Sequence, residues 1–437
     1  MGFRGEGVKV CVQGLWHLGS VTAACLASVG HDVVGLDFNK GTIQGLQLNN
    51  PPISEPGLAG LIRDGQAAGR LRFLISPAEA LAGVELLWVT YDTPVDDDDN
   101  ADVDFVVAQL ILALPHLDAG ATVLVSSQMP VGSIHRLEDV ALNLCPSKLI
   151  GFACFPENLR LGKALEIFLK PDRVVVGTRS ARDKDRIDRL LRSITDQIVW
   201  MSVESAEMTK HAINAFLAMS VTFANEIASI CEFVGADAKE VEKGLKSESR
   251  IGPKAYLSPG GAYAGGTLAR DVEFLRRVSA AGDFAIPLLT AIRASNDHHK
   301  GWVRRKLSAF FPVLDGVSIG VWGLTYKPGT DTLRRSSAVE LCDWLLDQGA
   351  FLKVHDPAVK ELPKRWNGRV QRVMDPLQAM AGSRALVVAT EWPQYKQISL
   401  QQPGRMPELV VLDANRFVPH FMGMANVRYV AVGTPGA

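Results

Sequence analysis

Short apolar runs alternate with longer amphipathic stretches along most of the chain. Runs at 8–12, 32–36, 85–90, 122–126, 148–153 and 174–177 are rich in β-branched and other apolar residues and are too short for buried helices, so they predict strands. Stretches such as 20–29 and 103–114 lie between them and predict helices. Such alternation predicts a doubly wound parallel sheet covered by helices on both faces. A long helix is predicted over 205–234, where Ala212, Phe216, Phe223, Ile227 and Ile230 supply apolar surface and Lys210 and Asn214, four apart, share a face. Another helix is predicted over 272–281. From about Gly316 the alternation resumes, with strand 317–322, helix 336–348, strand 352–355 and strand 385–389. The fold class predicted is α/β, two Rossmann-like doubly wound parallel sheets joined by a central helical domain, with the linker in the helices between 205 and 307. No internal repeat or low-complexity tract is visible.

Ligands of such sheets sit at the carboxyl ends of the strands, so the chemistry is sought there. Gly14-Leu15-Trp16-His17-Leu18-Gly19 leaves the first strand and opens a helix, and Asp37 closes the second strand, where a ribose-binding carboxylate belongs. Gly14, Trp16, Leu18 and Asp37 are candidate cofactor residues on this pattern. Trp16 stands where the second glycine of GxGxxG lets the backbone approach a pyrophosphate. Thr93 and Ser127 follow later strands and are candidates for the same ligand. The acidic run 96–99 reads as a solvated loop, because adjacent carboxylates repel and lack fixed geometry. Glu157 lies at another strand end.

The stretch Pro259-Gly260-Gly261-Ala262-Tyr263-Ala264-Gly265-Gly266-Thr267-Leu268-Ala269-Arg270-Asp271 has the glycine content of a catalytic loop, closed by Arg270 and Asp271, and holds no Cys, Ser or His. Its one aliphatic hydroxyl, Thr267, has no activating base beside it in sequence. Asn296-Asp297-His298-His299 reads as surface rather than metal site, since neighbouring histidines on a helix diverge, and no metal is expected.

Composition narrows the partners. With 437 residues, 46 basic and 47 acidic side chains and a net charge of −1, the chain has enough apolar residues for two or three cores and no field to gather nucleic acid or an anionic membrane. The partner expected is a small molecule. Six cysteines without CxxC spacing argue against a zinc ribbon or disulfide framework and fit a reducing cytoplasm. No signal-peptide region, myristoylation motif or apolar run of membrane-span length is expected.

Three sets of motifs are specific enough to carry a resemblance. Pro156-Glu157-Asn158-Leu159-Arg160-Leu161-Gly162 with Pro171-Asp172-Arg173-Val174-Val175-Val176-Gly177, then Ala206-Glu207-Met208-Thr209-Lys210-His211-Ala212-Ile213-Asn214-Ala215-Phe216, then Gly323-Leu324-Thr325-Tyr326-Lys327-Pro328-Gly329-Thr330-Asp331 resemble the UDP-glucose/GDP-mannose dehydrogenase family. Glu55-Pro56-Gly57-Leu58 and Pro130-Val131-Gly132 are similar to that family's cofactor-domain signatures.

The resemblance implies an NAD-binding domain over 1–203, a central helical dimerisation domain over 204–307 and a nucleotide-sugar-binding domain over 308–437. It implies NAD as cofactor, a UDP-sugar substrate and a cytoplasmic homodimer. In such enzymes a C6 alcohol is oxidised twice, through an aldehyde captured on a cysteine. On that comparison Lys210, Asn214 and Asp271 manage the C6 oxygen and its water, and Glu157 serves thioester hydrolysis. Arg250, Lys254, Tyr256, Gly265, Lys327 and Arg334 match substrate contacts, and Asp37 matches the ribose ligand.

The chain also departs from the family. Where the family reads Gly-Gly-Ser-Cys, two further residues and Lys-Asp, this chain runs Gly265-Gly266-Thr267-Leu268-Ala269-Arg270-Asp271, one residue shorter, with the cysteine at the deletion. No thiohemiacetal forms without a thiol. Cys154 lies near Glu157 and reads as a structural thiol. The expected function is NAD-dependent oxidation of a nucleotide sugar, a UDP-hexose, without the cysteine-dependent second step. The alternatives are an epimerase using transient oxidation, nucleotide-sugar binding without redox turnover, and a four-electron dehydrogenase with a relocated nucleophile.

Overall fold

The computed structural model describes residues 7–94, 96, 101–157, 159–264, 266–399 and 408–435. The chain separates into two compact units, Met1–Ala212 and Ile213–Ala437, and the boundary falls inside one helix, Val203–Val234.

The first unit is built on eight strands: β1 (Lys9–Gln13), β2 (Asp32–Leu36), β3 (Leu71–Leu74), β4 (Leu86–Val89), β5 (Thr122–Val125), β6 (Gly151–Cys154), β7 (Val174–Thr178) and β8 (Ile198–Met201). They lie in the order β3-β2-β1-β4-β5-β6-β7-β8. Alternation puts Val10, Val12 and Trp88 in one apolar layer and Cys11, Leu87 and Val89 in the other, so the central strands are buried on both faces, as a doubly wound sheet requires. The pairs are parallel except β6 with β7, so the sheet is the parallel-dominated one expected, with one antiparallel pair. The connection from β6 to β7 carries the short helix Ala164–Leu169 and returns the chain antiparallel.

The second unit carries β9 (Ser318–Trp322), β10 (Phe351–His355), β11 (Val370–Arg372), β12 (Ala385–Val388), β13 (Leu409–Leu412) and β14 (Val427–Val430), all parallel, in the order β11-β10-β9-β12-β13-β14. Ala228 and Cys231 of the long helix, with Trp302, share a core with Ile319, Val321 and Val387 of this sheet. The first six strands of one unit and the six of the other therefore repeat one order, a repeat that the sequence pattern does not reveal.

Two further expectations change. The helix expected from 272 starts at Thr267 and runs to Ala281, which takes Arg270 and Asp271 out of the glycine-rich loop. The long helix is long and apolar enough, by length and composition, to cross a membrane, although no such run was expected; 39% of its most apolar window is buried. Its charges cluster toward the ends, Glu204, Glu207 and Lys210 on one side and Glu226 and Glu232 on the other, leaving an apolar middle.

Candidate active site

At the first sheet, the carboxyl ends of β1, β2, β4 and β5 present Gly14, Asp37, Thr93 and Ser127 on the two sides of the point where strand order reverses. Gly14 has φ 95°, and a Cβ there would stand 2.9 Å from the Tyr91 backbone nitrogen. A side chain at Gly19 would run into the Gly14 carbonyl, so glycine lets the helix His17–Ser28 seat on the turn. Trp16 has an ordinary φ of −81° and its side chain is half exposed, at 50%. Glycine at position 16 would leave the turn open to close approach by a pyrophosphate, which an indole there opposes. Asp37 accepts from the Leu15 N–H at 2.7 Å and the Asn39 N–H at 2.8 Å and is half-buried. The Thr93 and Ser127 hydroxyls are buried and find no hydrogen-bond partner among the described residues. A carboxylate with spare lone pairs, a tight glycine turn and two unsatisfied hydroxyls fit a dinucleotide. Leu18 is buried and lines a small apolar cavity together with Trp88, Phe155 and Glu157.

Two buried glutamates that sequence patterning left without a role fix the neighbouring loops. Glu55 receives His17 Nε2 at 2.9 Å, the Gly162 N–H at 2.8 Å and the Ala164 N–H at 2.9 Å, so it joins the glycine turn to the chain just after Glu157. Burial pushes its carboxyl up, but the bonds from Gly162, His17 and Ala164 together hold it below the usual carboxylate range. Glu207 receives the Gly132 and Ile134 N–H groups, both at 2.9 Å. Glu157 accepts its own Leu159 N–H at 2.6 Å, and its carbonyl accepts Lys210 Nζ at 2.6 Å. Ser127, Cys154, Glu157, Glu207, Lys210 and His211 line one cavity of about 30 Å³. Burial drives the Cys154 thiol far above its ordinary range, with the Glu207 charge adding to the effect, so it supplies no thiolate there.

In the second unit Asn214 Nδ2 donates to Asp271 Oδ2, and both residues are buried, Asp271 completely at 0% exposure. Asp271 sits one turn into the helix that starts at Thr267, while Thr267 itself is exposed. Gly266 has φ 113°, and a Cβ there would lie 3.1 Å from the Tyr326 hydroxyl. The glycine-rich loop before it is pinned. Asn225 accepts the Gly260 N–H at 2.9 Å, Asn415 accepts the Gly261 N–H at 2.7 Å, and His299 Nε2 donates to the Gly260 carbonyl at 2.8 Å. Asn296 bonds both the N–H and the carbonyl of Tyr263, at 3.0 and 2.9 Å. Asn296 and His299 are thus interior anchors, which corrects their reading as surface; they face inward because the loop offers backbone groups that need partners. Among the described residues no cluster fit for a metal occurs.

A cavity of about 210 Å³ opens at the ends of β9, β12 and β13, lined by Gly261, Ala262, Thr325, Tyr326, Ser336 and Asn415 among others. Arg250, Lys254, Tyr256, Lys327 and Arg334 are exposed and do not line it, and Arg250 pairs with Glu248 at 3.0 Å. Gly265 and most of the acidic run lie outside the described residues. Within the first unit the structure thus brings Gly14 with Asp37 and Ser127 with Glu157 and Lys210; within the second it brings Asn214 to Asp271.

The sequence matches three profiles of one family in chain order. They are the UDP-glucose/GDP-mannose dehydrogenase family NAD binding domain over residues 8–195, its central domain over 204–298 and its UDP binding domain over 320–420. The chain belongs to this family. It is 31% identical to a UDP-glucose 6-dehydrogenase of Pseudomonas aeruginosa over 98% of each chain, and 32% identical to one of Rhizobium meliloti over 98% of this chain and 100% of that one. A UDP-glucose dehydrogenase structure from the hyperthermophilic archaeon Pyrobaculum islandicum superposes with a TM-score of 0.86 at 28% identity, covering 99% of both chains. This family member is an NAD-dependent oxidoreductase whose first sheet is the NAD binding domain.

Proposed function

We propose that this dehydrogenase-family chain oxidises the C6 alcohol of a UDP-hexose once, giving an aldehyde, and has no thiol-bound route to the acid. The observation that carries this is the buried Asn214–Asp271 pair kept beside a helix start that holds no thiol. Counted forward from Gly265-Gly266, the family's cysteine falls at a deletion; counted back along the helix from Arg270-Asp271, its place is taken by Thr267. On either count the nucleophile is absent, and a threonine hydroxyl is a poor replacement without a base to activate it.

NAD supplies the hydride acceptor. The Lys210 ammonium and Asn214 amide stabilise charge developing on the C6 oxygen, and Asp271 takes its proton directly or through water. One alcohol and one NAD give one aldehyde, one NADH and one proton. Glu157 then has no thioester to hydrolyse. Arg250, Lys327 and Arg334 are cations suited to the diphosphate, with Lys254, Tyr256 and Gly265 around the sugar. The chain works as a cytoplasmic homodimer with 204–307 as its dimerisation domain: Phe216, Phe223 and Ile230, spaced by seven on the long helix, are large exposed apolar side chains that a second copy would cover.

A second reading, nucleotide-sugar binding without turnover, is favoured by Trp16 and by the missing cysteine. Calorimetry with NAD and with UDP separates the two: binding of both supports oxidation, and UDP binding without NAD binding selects the second reading. NMR of the product from a UDP-hexose decides the outcome, because an aldehyde or its hydrate supports the proposal, whereas a uronic acid or an epimer overturns it.

A further inference from the structure

We propose that Glu207 is a positioning residue for the cofactor loop: its carboxylate reaches from the long helix to hold residues 129–134 against the same helical turn that carries Lys210. The helix Ser133–Leu144 begins after Gly132, at φ 90°, and has no side-chain cap of its own. Glu207 supplies one, with Oε2 on the Gly132 N–H and Oε1 on the Ile134 N–H, both at 2.9 Å. A negative charge at a helix start is favourably placed, and here it also ties a distant segment down. One turn further on, the imidazole of His211 donates from Nε2 to the Met129 carbonyl at 3.1 Å. Between the two, Lys210 Nζ donates to the Glu157 carbonyl at 2.6 Å. A single turn of helix thus fixes the chain after β5 and the chain after β6, and Ser127, with its unsatisfied hydroxyl, enters the loop it holds.

The electrostatics argue that this carboxylate is kept for geometry. Burial pushes it above the usual glutamate range, and the Ile134 and Gly132 N–H bonds offset that only in part; Glu204 raises it further and His211 lowers it. Lys210, Glu157 and Cys154 line the same cavity. A raised folded pKa means that folding prefers the protonated form. The group's contribution to stability is complete below the unfolded value and is lost as pH rises through the folded one. In its ionised form Glu207 costs stability. What it provides is two simultaneous acceptors, which a protonated carboxyl does not match, so the clamp weakens as pH falls through the folded pKa.

The inference rests on Ser127 being a cofactor contact, and the test separates the two ideas. Hydrogen exchange at the Gly132 and Ile134 amides, measured without NAD on the full chain and on Glu207→Gln, tests the clamp; calorimetry with NAD tests the contact. We expect faster exchange in Glu207→Gln, NAD affinity lowered about tenfold, UDP affinity unchanged and a thermal midpoint at pH 7 that does not fall. Glu207→Asp, which keeps the charge but shortens the reach, is expected to lie between the two. In the unaltered chain NAD affinity should weaken on the acid side at a pH above the ordinary glutamate range, and this limb should vanish in Glu207→Gln. Unchanged amide exchange overturns the clamp. Faster exchange with NAD affinity intact, or a loss of UDP and NAD binding together with melting, overturns the positioning role. No NAD binding by the unaltered chain overturns the cofactor contact on which the proposal rests.

Discussion

At Gly14 and again at Gly323 the chain leaves a buried strand at positive φ, and each time the next residue is a leucine whose N–H is held at 2.7 Å by an aspartate from the end of the neighbouring strand. The two aspartates then differ. Asp356 is buried and accepts from Leu324, Thr325, Ala358 and Val359 N–H groups, the Thr325 hydroxyl and the Trp392 indole. Asp37 is half-buried, and the bonds from Leu15 and Asn39 leave lone pairs spare on a carboxylate that offers about four. The same turn serves as a strut in the second sheet and as an open acceptor in the first. Being last on the second strand does not make an aspartate a ribose ligand; unspent hydrogen-bonding capacity does.

Of the two aspartates, the strut should show the larger effect when changed. Asp356→Asn turns an acceptor of several donors into a group with its own N–H facing them, and should cost about 3 kcal/mol, read as a lowered thermal midpoint; a change within error would show that the turn holds without the carboxylate. Asp37→Asn should leave the midpoint nearly unmoved and lower NAD affinity about tenfold, or about 1.4 kcal/mol, by calorimetry. Equal behaviour of the two variants would erase the distinction. Trp16→Gly should raise NAD affinity about fivefold, or about 1 kcal/mol, because removing the indole opens the turn to close approach of a pyrophosphate.

The smallest effect expected concerns pH. Burial holds the His299 imidazole below its usual range, against the Gly260 bond, which raises it; Arg305 and His298 also lower it and Glu232 raises it. A lowered folded pKa means that the unfolded chain binds the proton first, so stability falls as pH drops from the ordinary histidine value toward the folded one. Denaturation midpoints between pH 7 and 5 should show a slope that His299→Gln reduces. His31 and His355 are lowered by burial as well and add to that slope, while Glu207, whose carboxyl is raised by burial, works against it.

Much of this was legible in residue order. Buried parallel strands announce themselves as apolar runs, and a glycine turn followed by Asp37 announces a dinucleotide site. What stayed hidden depends on partners far away in sequence. Glu55 meets Gly162 and Ala164 across more than a hundred residues, and Glu207 meets Gly132 across 75, so neither cap leaves a local pattern. Asn296 and His299 look like surface until the loop they anchor is in view. The first turn of the helix, 267–271, reads as loop in the sequence because Gly266, in place of a capping Ser or Asp, gives no start signal. The two sheets repeat an order while sharing little beyond Gly-Leu and a later aspartate.

The chemistry proposed is an oxidation that stops for want of a thiol. Counting NADH formed per UDP-hexose consumed, in a single closed reaction, tests it most directly. One NADH per sugar is the result predicted, and two per sugar would contradict it.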